Sequence, residues 1–347
     1  MTNSLASHRS DDYRVDLLNL DGDLVHQLDG VEYGGEITLN VAADVRGTGR
    51  LEIVTDRPRI NWLDHLVRVW YVGAGMEVPL LTGEPHSPRD QHTATHISQE
   101  VALYDATDAL NTDSFGGFYG VPAGVNIIDQ VRQITESTGL DRMILEPSPA
   151  TLAASMTWEP DTSKLRVVND LLYAAGYWAI YADPLGWLRG EPYTPPERRP
   201  VAWPFDRLYL PDWSRTLDTR GIPNRVVCIQ RVEGDETPLE AERVLDDIAP
   251  DSWNTVARRK RQRTKVYDDV DAANQEVLQS ICDRYLLDAQ RVAEVREFTH
   301  PWLPTVGPNT VVEHEHPRAD RVRAVVQKQI IRVETGGLCT STVRGLV

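Results

Sequence analysis

The stretch "EHEH", residues 313–316, sets His314 and His316 two positions apart. On a strand both imidazoles would leave the same face, a spacing that metal sites use. No third ligand is identifiable nearby, and the alternative is polar side chains on an exposed strand face. His92 and His96 are four apart but lie at the start of a β pattern, where they share no helix face. Carboxylates adjoin at Asp11/Asp12, Asp246/Asp247 and Asp268/Asp269. A glycosidase needs two carboxyls roughly 5–10 Å apart in a cleft, one of them with a raised pKa. Adjacency in sequence supplies neither condition, and solvated acidic loops are the plainer reading. No Gly-x-Ser-x-Gly elbow, His-Glu-x-x-His pair or phosphate-binding glycine loop occurs. The expectation is therefore a protein that is not an enzyme, with no catalytic residue, cofactor or metal.

The run "ARRKRQRTKVY" is different. Arg258, Arg259, Lys260, Arg261, Arg263 and Lys265 concentrate positive charge in a chain of net charge −16, with 36 basic and 52 acidic residues among 347. A solvated face is one reading. A subunit-interface strip that meets an acidic surface on a neighbouring copy, where complementary charge sets register, is the functional one. A nucleic-acid patch comes third, because so acidic a surface repels phosphates and anionic lipid.

Nine tryptophans (Trp62, Trp70, Trp158, Trp178, Trp187, Trp203, Trp213, Trp253, Trp302) could form a sugar platform, but they are scattered through strand and helix patterns and read as core. Cys228, Cys282 and Cys339 are odd in number and widely spaced, which suits reduced thiols. The first residues show no basic start followed by an apolar core, and no apolar run approaches the ~20 residues of a membrane span. The chain reads as soluble.

The elements that would carry these residues fall into three blocks. From Tyr13 to Tyr104 strands alternate with glycine turns: Asp21-Gly22, Gly47-Thr48-Gly49 and Gly73-Ala74-Gly75 each separate two apolar runs. A short helical turn is expected at 105–111. Near Gly116 the period changes. "PAGVNIIDQVRQITESTGL" predicts a helix with Ile127, Ile128, Val131 and Ile134 on one face and Gly139 as its stop. In "SKLRVVNDLLYAAGYWAIYADPLGWLRGEPY" Ser163 is placed to cap a second helix bearing Leu165, Val168, Leu171 and Leu172, and Gly176 ends it. An aromatic hairpin then turns at Asp183-Pro184-Leu185-Gly186, with Pro and Gly where a type I turn wants them. A proline-dense linker follows. The last block returns to strands, interrupted by a helix at about 271–291 begun by Asp269 or Asp271, and its final two strands join at Thr335-Gly336-Gly337. The expected domains are 1–111, 112–200 and 201–347.

The blocks "YRVDLLNLDGDLVHQLDGVEYGGEITLNVAADVRGTGRLEI", the 163–193 stretch, "IPNRVVCIQ", "PWLPTVGPNTVVEHEH" and "ETGGLCTSTVRGLV" resemble minor tail proteins of long-tailed actinobacterial phages. By architecture these are similar to the tail-hub, or baseplate-hub, proteins of long-tailed phages and related injection machines. The resemblance implies an α+β, β-rich fold in which two tube-type β-barrel domains bracket smaller α/β domains. It implies a homotrimeric ring whose six barrels continue the tail tube at the virion's tip, assembled in the host cytoplasm. Implied partners are other copies of the chain, a distal tail protein above, a tape measure protein in or near the lumen, and other tail-tip or receptor-binding proteins. DNA would pass through without specific binding and no membrane segment is implied. The sequence stops at Val347 without a fused lysozyme-like, peptidase or fibre domain, so cell-wall degradation is not carried over. The competing expectation is a receptor- or carbohydrate-binding tail protein, with a wall hydrolase and an unrelated β-rich enzyme behind it.

Overall fold

The computed structural model describes all residues except 1–10, 29–31, 56–59, 74, 93–96, 207–211, 218, 231–236, 271, 273, 291–293, 317–318 and 347. It divides into two compact units. The larger comprises residues up to Ser214 together with Arg296–Leu346, and the smaller runs from Arg215 to Val295.

In chain order the first strands are β1 (Asp12–Leu18), β2 (Leu24–Gln27), β3 (Glu32–Asn40), β4 (Gly47–Thr55), β5 (Leu66–Gly73), β6 (Met76–His92) and β7 (Ile97–Tyr104). Alternation is clearest in β5. In β5 Val67, Val69 and Tyr71 turn inward while Leu66, Arg68 and Trp70 stay half-buried. Asp21-Gly22 makes the expected β1–β2 turn, with Gly22 at a positive φ of 84°. The Gly47-Thr48-Gly49 turn is not formed: those residues are the first three of β4, and the chain reverses over 41–46 instead. Gly47 and Gly49 serve close packing there, since a Cβ would meet Asp105 and Leu81 at 2.8–2.9 Å from the first and Leu81 at 3.2 Å from the second. At the β5–β6 hairpin Gly73 pairs with Met76, and Ala74 lies outside the described residues.

The middle block contains α1 (Thr107–Thr112), β8 (Tyr119–Val121), α2 (Ile127–Glu136), β9 (Met143–Leu145), β10 (Met156–Trp158), α3 (Lys164–Ala174), β11 (Tyr181–Ala182) and β12 (Leu188–Gly190). Asn126 caps α2 by accepting from Asp129 N at 3.1 Å, and Ser163 caps α3 by accepting from Arg166 N at 3.2 Å. Gly139 and Gly176 follow the two helices at positive φ. Ile127, Ile128, Val131 and Ile134 pack against Leu165, Val168, Leu171 and Leu172 in one core. The Asp183–Gly186 turn forms as expected, with Gly186 N donating to Asp183 O at 2.8 Å. The Asp183 carboxylate fixes it by accepting from Leu185 N, Trp187 N and the Arg189 guanidinium at 2.6–3.0 Å. β12 also runs parallel to β9, so α3 lies in the connection between parallel neighbours.

After β13 (Val201–Phe205) and β14 (Trp213–Leu217), the smaller unit holds β15 (Arg225–Gln230), β16 (Glu240–Val244), α4 (Leu245–Ile248), α5 (Val256–Arg259), β17 (Thr264–Val270) and α6 (Gln275–Ala289). Its sheet has the order β16-β15-β17, and Leu278, Cys282 and Leu286 of α6 join Val226, Cys228 and Leu245 in its core. α6 is shorter than expected. Asn274 starts it by accepting from Val277 N at 3.0 Å; of the two expected initiators, Asp271 and the Asp269 side chain lie outside the described residues.

The chain closes with β18 (Glu294–Pro301), β19 (Val311–His316), β20 (Ala319–Arg332) and β21 (Leu338–Gly345). The main sheet follows the path β18-β21-β20-β3-β4-β7-β6-β5-β1-β2, with β19 pairing both β20 and β13. The pairing of Glu36–Asn40 with Lys328–Arg332 makes the early and late strands one continuous hydrogen-bonded sheet, and among the described residues that sheet closes no barrel. Two β cores lie along it. One gathers Val15, Ile37, Leu51, Val69, Leu103 and, from the end of the chain, Trp302, Ile331 and Cys339. The other holds Trp203, Phe205, Phe298, Val312, Val326 and Val343. The fold is thus β-rich with a small α/β block. Among the described residues, no helix is long and apolar enough to cross a membrane.

Candidate functional site

The six basic residues singled out in the sequence all lie in the smaller unit. Thr255 starts α5 by accepting from Arg258 N at 3.3 Å, and the Asp246 carboxylate accepts from Val256 N and Ala257 N at 2.7 and 2.9 Å. Half of the Asp246/Asp247 pair is therefore helix-capping structure. Lys260 ends the turn in the left-handed region at φ 55°. Asn224, buried, then holds the outgoing chain by accepting from Arg263 N at 2.7 Å and donating to Arg261 O at 3.0 Å. Arg258, Arg259, Lys260, Arg261 and Lys265 are exposed and Arg263 is half-buried. Arg259 lies 4.4 Å over the Trp253 ring, Lys265 lies 5.7 Å over that of Tyr267, and Arg263 donates to Thr219 O at 3.3 Å. None of the six forms an ion pair with a carboxylate among the described residues. The backbone of the strip is held in place by the bonds to Thr255, Asp246 and Asn224.

His314 is in a different situation from a ligand on an open strand. It is wholly buried, its Nδ1 lies 2.9 Å from the Arg296 guanidinium, and its ring stacks on Phe298 at 4.5 Å. Arg296 also donates to Asp320 O at 2.8 Å and lies 5.0 Å over Trp213. Burial first, then the positive charge of Arg296 and the neighbouring His316, brings the His314 pKa down to about 4. The Arg296 guanidinium therefore occupies Nδ1 of His314, and among the described residues no group of three His, Cys, Asp or Glu side chains gathers there to hold a metal ion. His96 lies outside the described residues. Asp11 accepts from the Tyr71 hydroxyl at 2.6 Å in the larger β core. All nine tryptophans are buried or half-buried, so no indole stands out as a platform.

A cleft of about 590 Å³ lies in the larger unit, unmarked by any residue pattern in the sequence. It is lined by Leu39, Val41, Leu80 and Leu81, by Trp178 and Tyr181, and by three prolines, Pro184, Pro192 and Pro308. The 183–186 turn is seated beside it because Thr82 donates to Pro184 O at 2.8 Å and both Arg68 and Arg142 donate to Leu185 O at 3.1 Å. Two guanidinium groups, Arg46 and Arg199, face this cleft. Arg46 lies 5.9 Å from the Tyr181 ring, and burial lowers its pKa against the opposing pull of Asp105. Arg199 lies 5.1 Å over Trp178 and donates through Nη1 to Asn309 O. The cleft's lining residues come from six separated stretches of chain, which is why no local motif announces it.

The chain has the fold of phage tail proteins. Superposition gives a TM-score of 0.66 at 14% identity with a tail protein from Neisseria meningitidis, covering 96% of each chain. The 43 kDa tail protein of prophage MuSo2 from Shewanella oneidensis gives 0.64 at 13%, covering 96% of this chain and 98% of that one. A prophage tail protein from Listeria monocytogenes gives 0.50 at 10%, covering 95% and 94%. No family model matches the chain, and no curated protein sequence matches it.

Proposed function

We propose that this protein is a structural component of a phage-type tail, placed at the tail tip as the hub from which the tube begins. The observation that carries the reading is the end-to-end correspondence of fold with tail proteins, over 96% of the chain in two cases. Three copies close a ring, with the strands of 1–111 and 201–347 supplying two tube walls per copy and residues 112–200 a peripheral α/β block. Two β cores lie along the one sheet, the first drawing on both ends of the chain and the second mostly on its last third, and each is a layer able to back a wall segment. A distal tail protein sits above, a tape measure protein in the lumen, and receptor-binding proteins below.

Charge supports the same reading. Each neutralised phosphate strengthens binding to DNA and slows its passage, so a conduit of net charge −16 per copy is a low-friction one. Closing a cyclic ring requires two different surfaces that fit each other. The strip from Arg258 to Lys265, which forms no ion pair among the described residues, is one such surface, and an acidic edge of the next copy is the other. Changing Arg258, Arg259 and Arg261 together to Glu is expected to leave the monomer folded and to block tail assembly. Normal assembly and infectious particles from that variant would remove the interface role.

A further inference from the structure

A second cleft, of about 410 Å³, lies in the larger unit along the outer face of α3. Arg166, Asn169, Asp170 and Tyr173 line it, at the i, i+3, i+4, i+7 spacing that places them on one side of a helix. The other side of α3, with Val168, Leu171 and Leu172, packs in the core. Asn111 from α1 and Asp44 from the turn before β4 also line the cleft. Tyr173 is 84% exposed, more than any other large hydrophobic side chain among the described residues.

The lining is mostly polar, and part of that polarity is not used within the chain. The Asp170 carboxylate is held through Oδ2, which accepts from Trp158 Nε1 at 2.9 Å and from Arg166 Nε at 3.0 Å, while Oδ1 accepts nothing among the described residues. Asn169 is anchored likewise: its Oδ1 accepts from Ile180 N at 2.9 Å, and its amide NH2 donates to no described residue. The side chains of Asn111, Asp44 and Tyr173 make no hydrogen bond among the described residues. An aromatic ring beside unused amide and carboxylate groups matches a saccharide, whose C–H face stacks on the ring while its hydroxyls both donate and accept. An apolar segment would instead leave these groups desolvated and unpaired. Charge narrows the choice further. Asp44 and Asp170 outnumber Arg166, which Asp170 already pairs with, so the surplus is negative and repels an acidic ligand. A cleft of this size suits a small molecule rather than a single ion.

We propose that this cleft binds a small neutral saccharide, stacked on Tyr173 and hydrogen-bonded by Asp170, Asn169 and Asn111. The inference goes beyond the hub reading and rests on the cleft alone. Neither the threefold ring nor the basic strip is needed for it.

The test uses the full-length protein and saturation-transfer NMR. The probes are glucose, galactose, mannose, arabinose, N-acetylglucosamine, maltose and lactose, with glucuronate as the anionic control. At least one neutral sugar is expected to take up saturation, and glucuronate is expected to take up none. Titration of the strongest signal then gives an affinity. Tyr173→Ala should lower that affinity roughly tenfold, while Tyr173→Phe, which keeps the ring, should hold it within about twofold. Asn111→Ala should lower it about fivefold. Tyr173 is so exposed that its replacement should leave the melting temperature unchanged, which separates loss of the site from loss of the fold. No transfer to any neutral sugar, transfer to glucuronate equal to that of glucose, or a folded Tyr173→Ala protein that binds as well as the wild type overturns the proposal.

Discussion

Acid should destabilise the larger unit through one buried imidazole. His314 is fully enclosed, accepts at Nδ1 from Arg296 at 2.9 Å and stacks on Phe298, and its pKa falls from the ordinary 6.5 to about 4. The difference corresponds to about 3 kcal/mol of preference for the neutral ring, as an upper bound. Because the folded pKa is the lower one, the unfolded chain takes up the proton first. The contribution is complete above pH 6.5, shrinks by up to about 1.4 kcal/mol per pH unit below it, and is gone near pH 4. Urea unfolding of the wild type and of His314→Gln at pH 7.0, 5.5 and 4.5 isolates this effect, since the carboxylates titrate alike in both. The variant should be less stable at pH 7 by about 1–2 kcal/mol through lost ring packing. That gap should close by about 2–3 kcal/mol at pH 4.5, enough to vanish or reverse. A gap that stays constant with pH would refute the buried neutral ring.

Two further substitutions probe the packing on which the sites depend. Gly35 sits in β3 at φ 129°, and a Cβ there would stand 1.9 Å from Arg50 O across the β3–β4 pairing. Gly35→Ala should cost roughly 2–4 kcal/mol in urea unfolding, and a change within 0.5 kcal/mol would contradict the local geometry. Leu171 is fully buried in α3 against the α2 face. Leu171→Ala should cost about 2–5 kcal/mol in the same measurement, and a near-neutral result would mean that the α/β block is not packed as described.

Local signals in the sequence were reliable where the chain's own chemistry decides the outcome. Ser163 and Gly176 bound α3, Gly336 turns β20 into β21, and Asp183-Pro184-Leu185-Gly186 forms its hairpin, because caps and turns involve neighbours within a few residues. Gly47 and Gly49 misled because glycine also permits close approach inside a strand, and only the packed Leu81 and Asp105 reveal which use applies. The union of β3 with β20 joins residues almost 300 positions apart, a pairing that alternation within each strand cannot disclose. The basic strip was visible as composition, while the absence of an ion pair to any carboxylate among the described residues was not. The cleft was invisible for the same reason as the sheet union: Arg46 and Arg199 line one cleft only because the fold brings together the turn before β4 and the segment after β12.

The central claim is that three molecules surround the tail axis. The most direct measurement is an electron cryomicroscopy reconstruction of the tail tip of intact particles without imposed symmetry, with copies of this chain counted by fitting. Three copies related by a threefold axis, with strands of both β cores facing the channel and residues 258–265 at each junction, are the expected result. One copy, six copies, or a molecule standing off the axis would contradict the account.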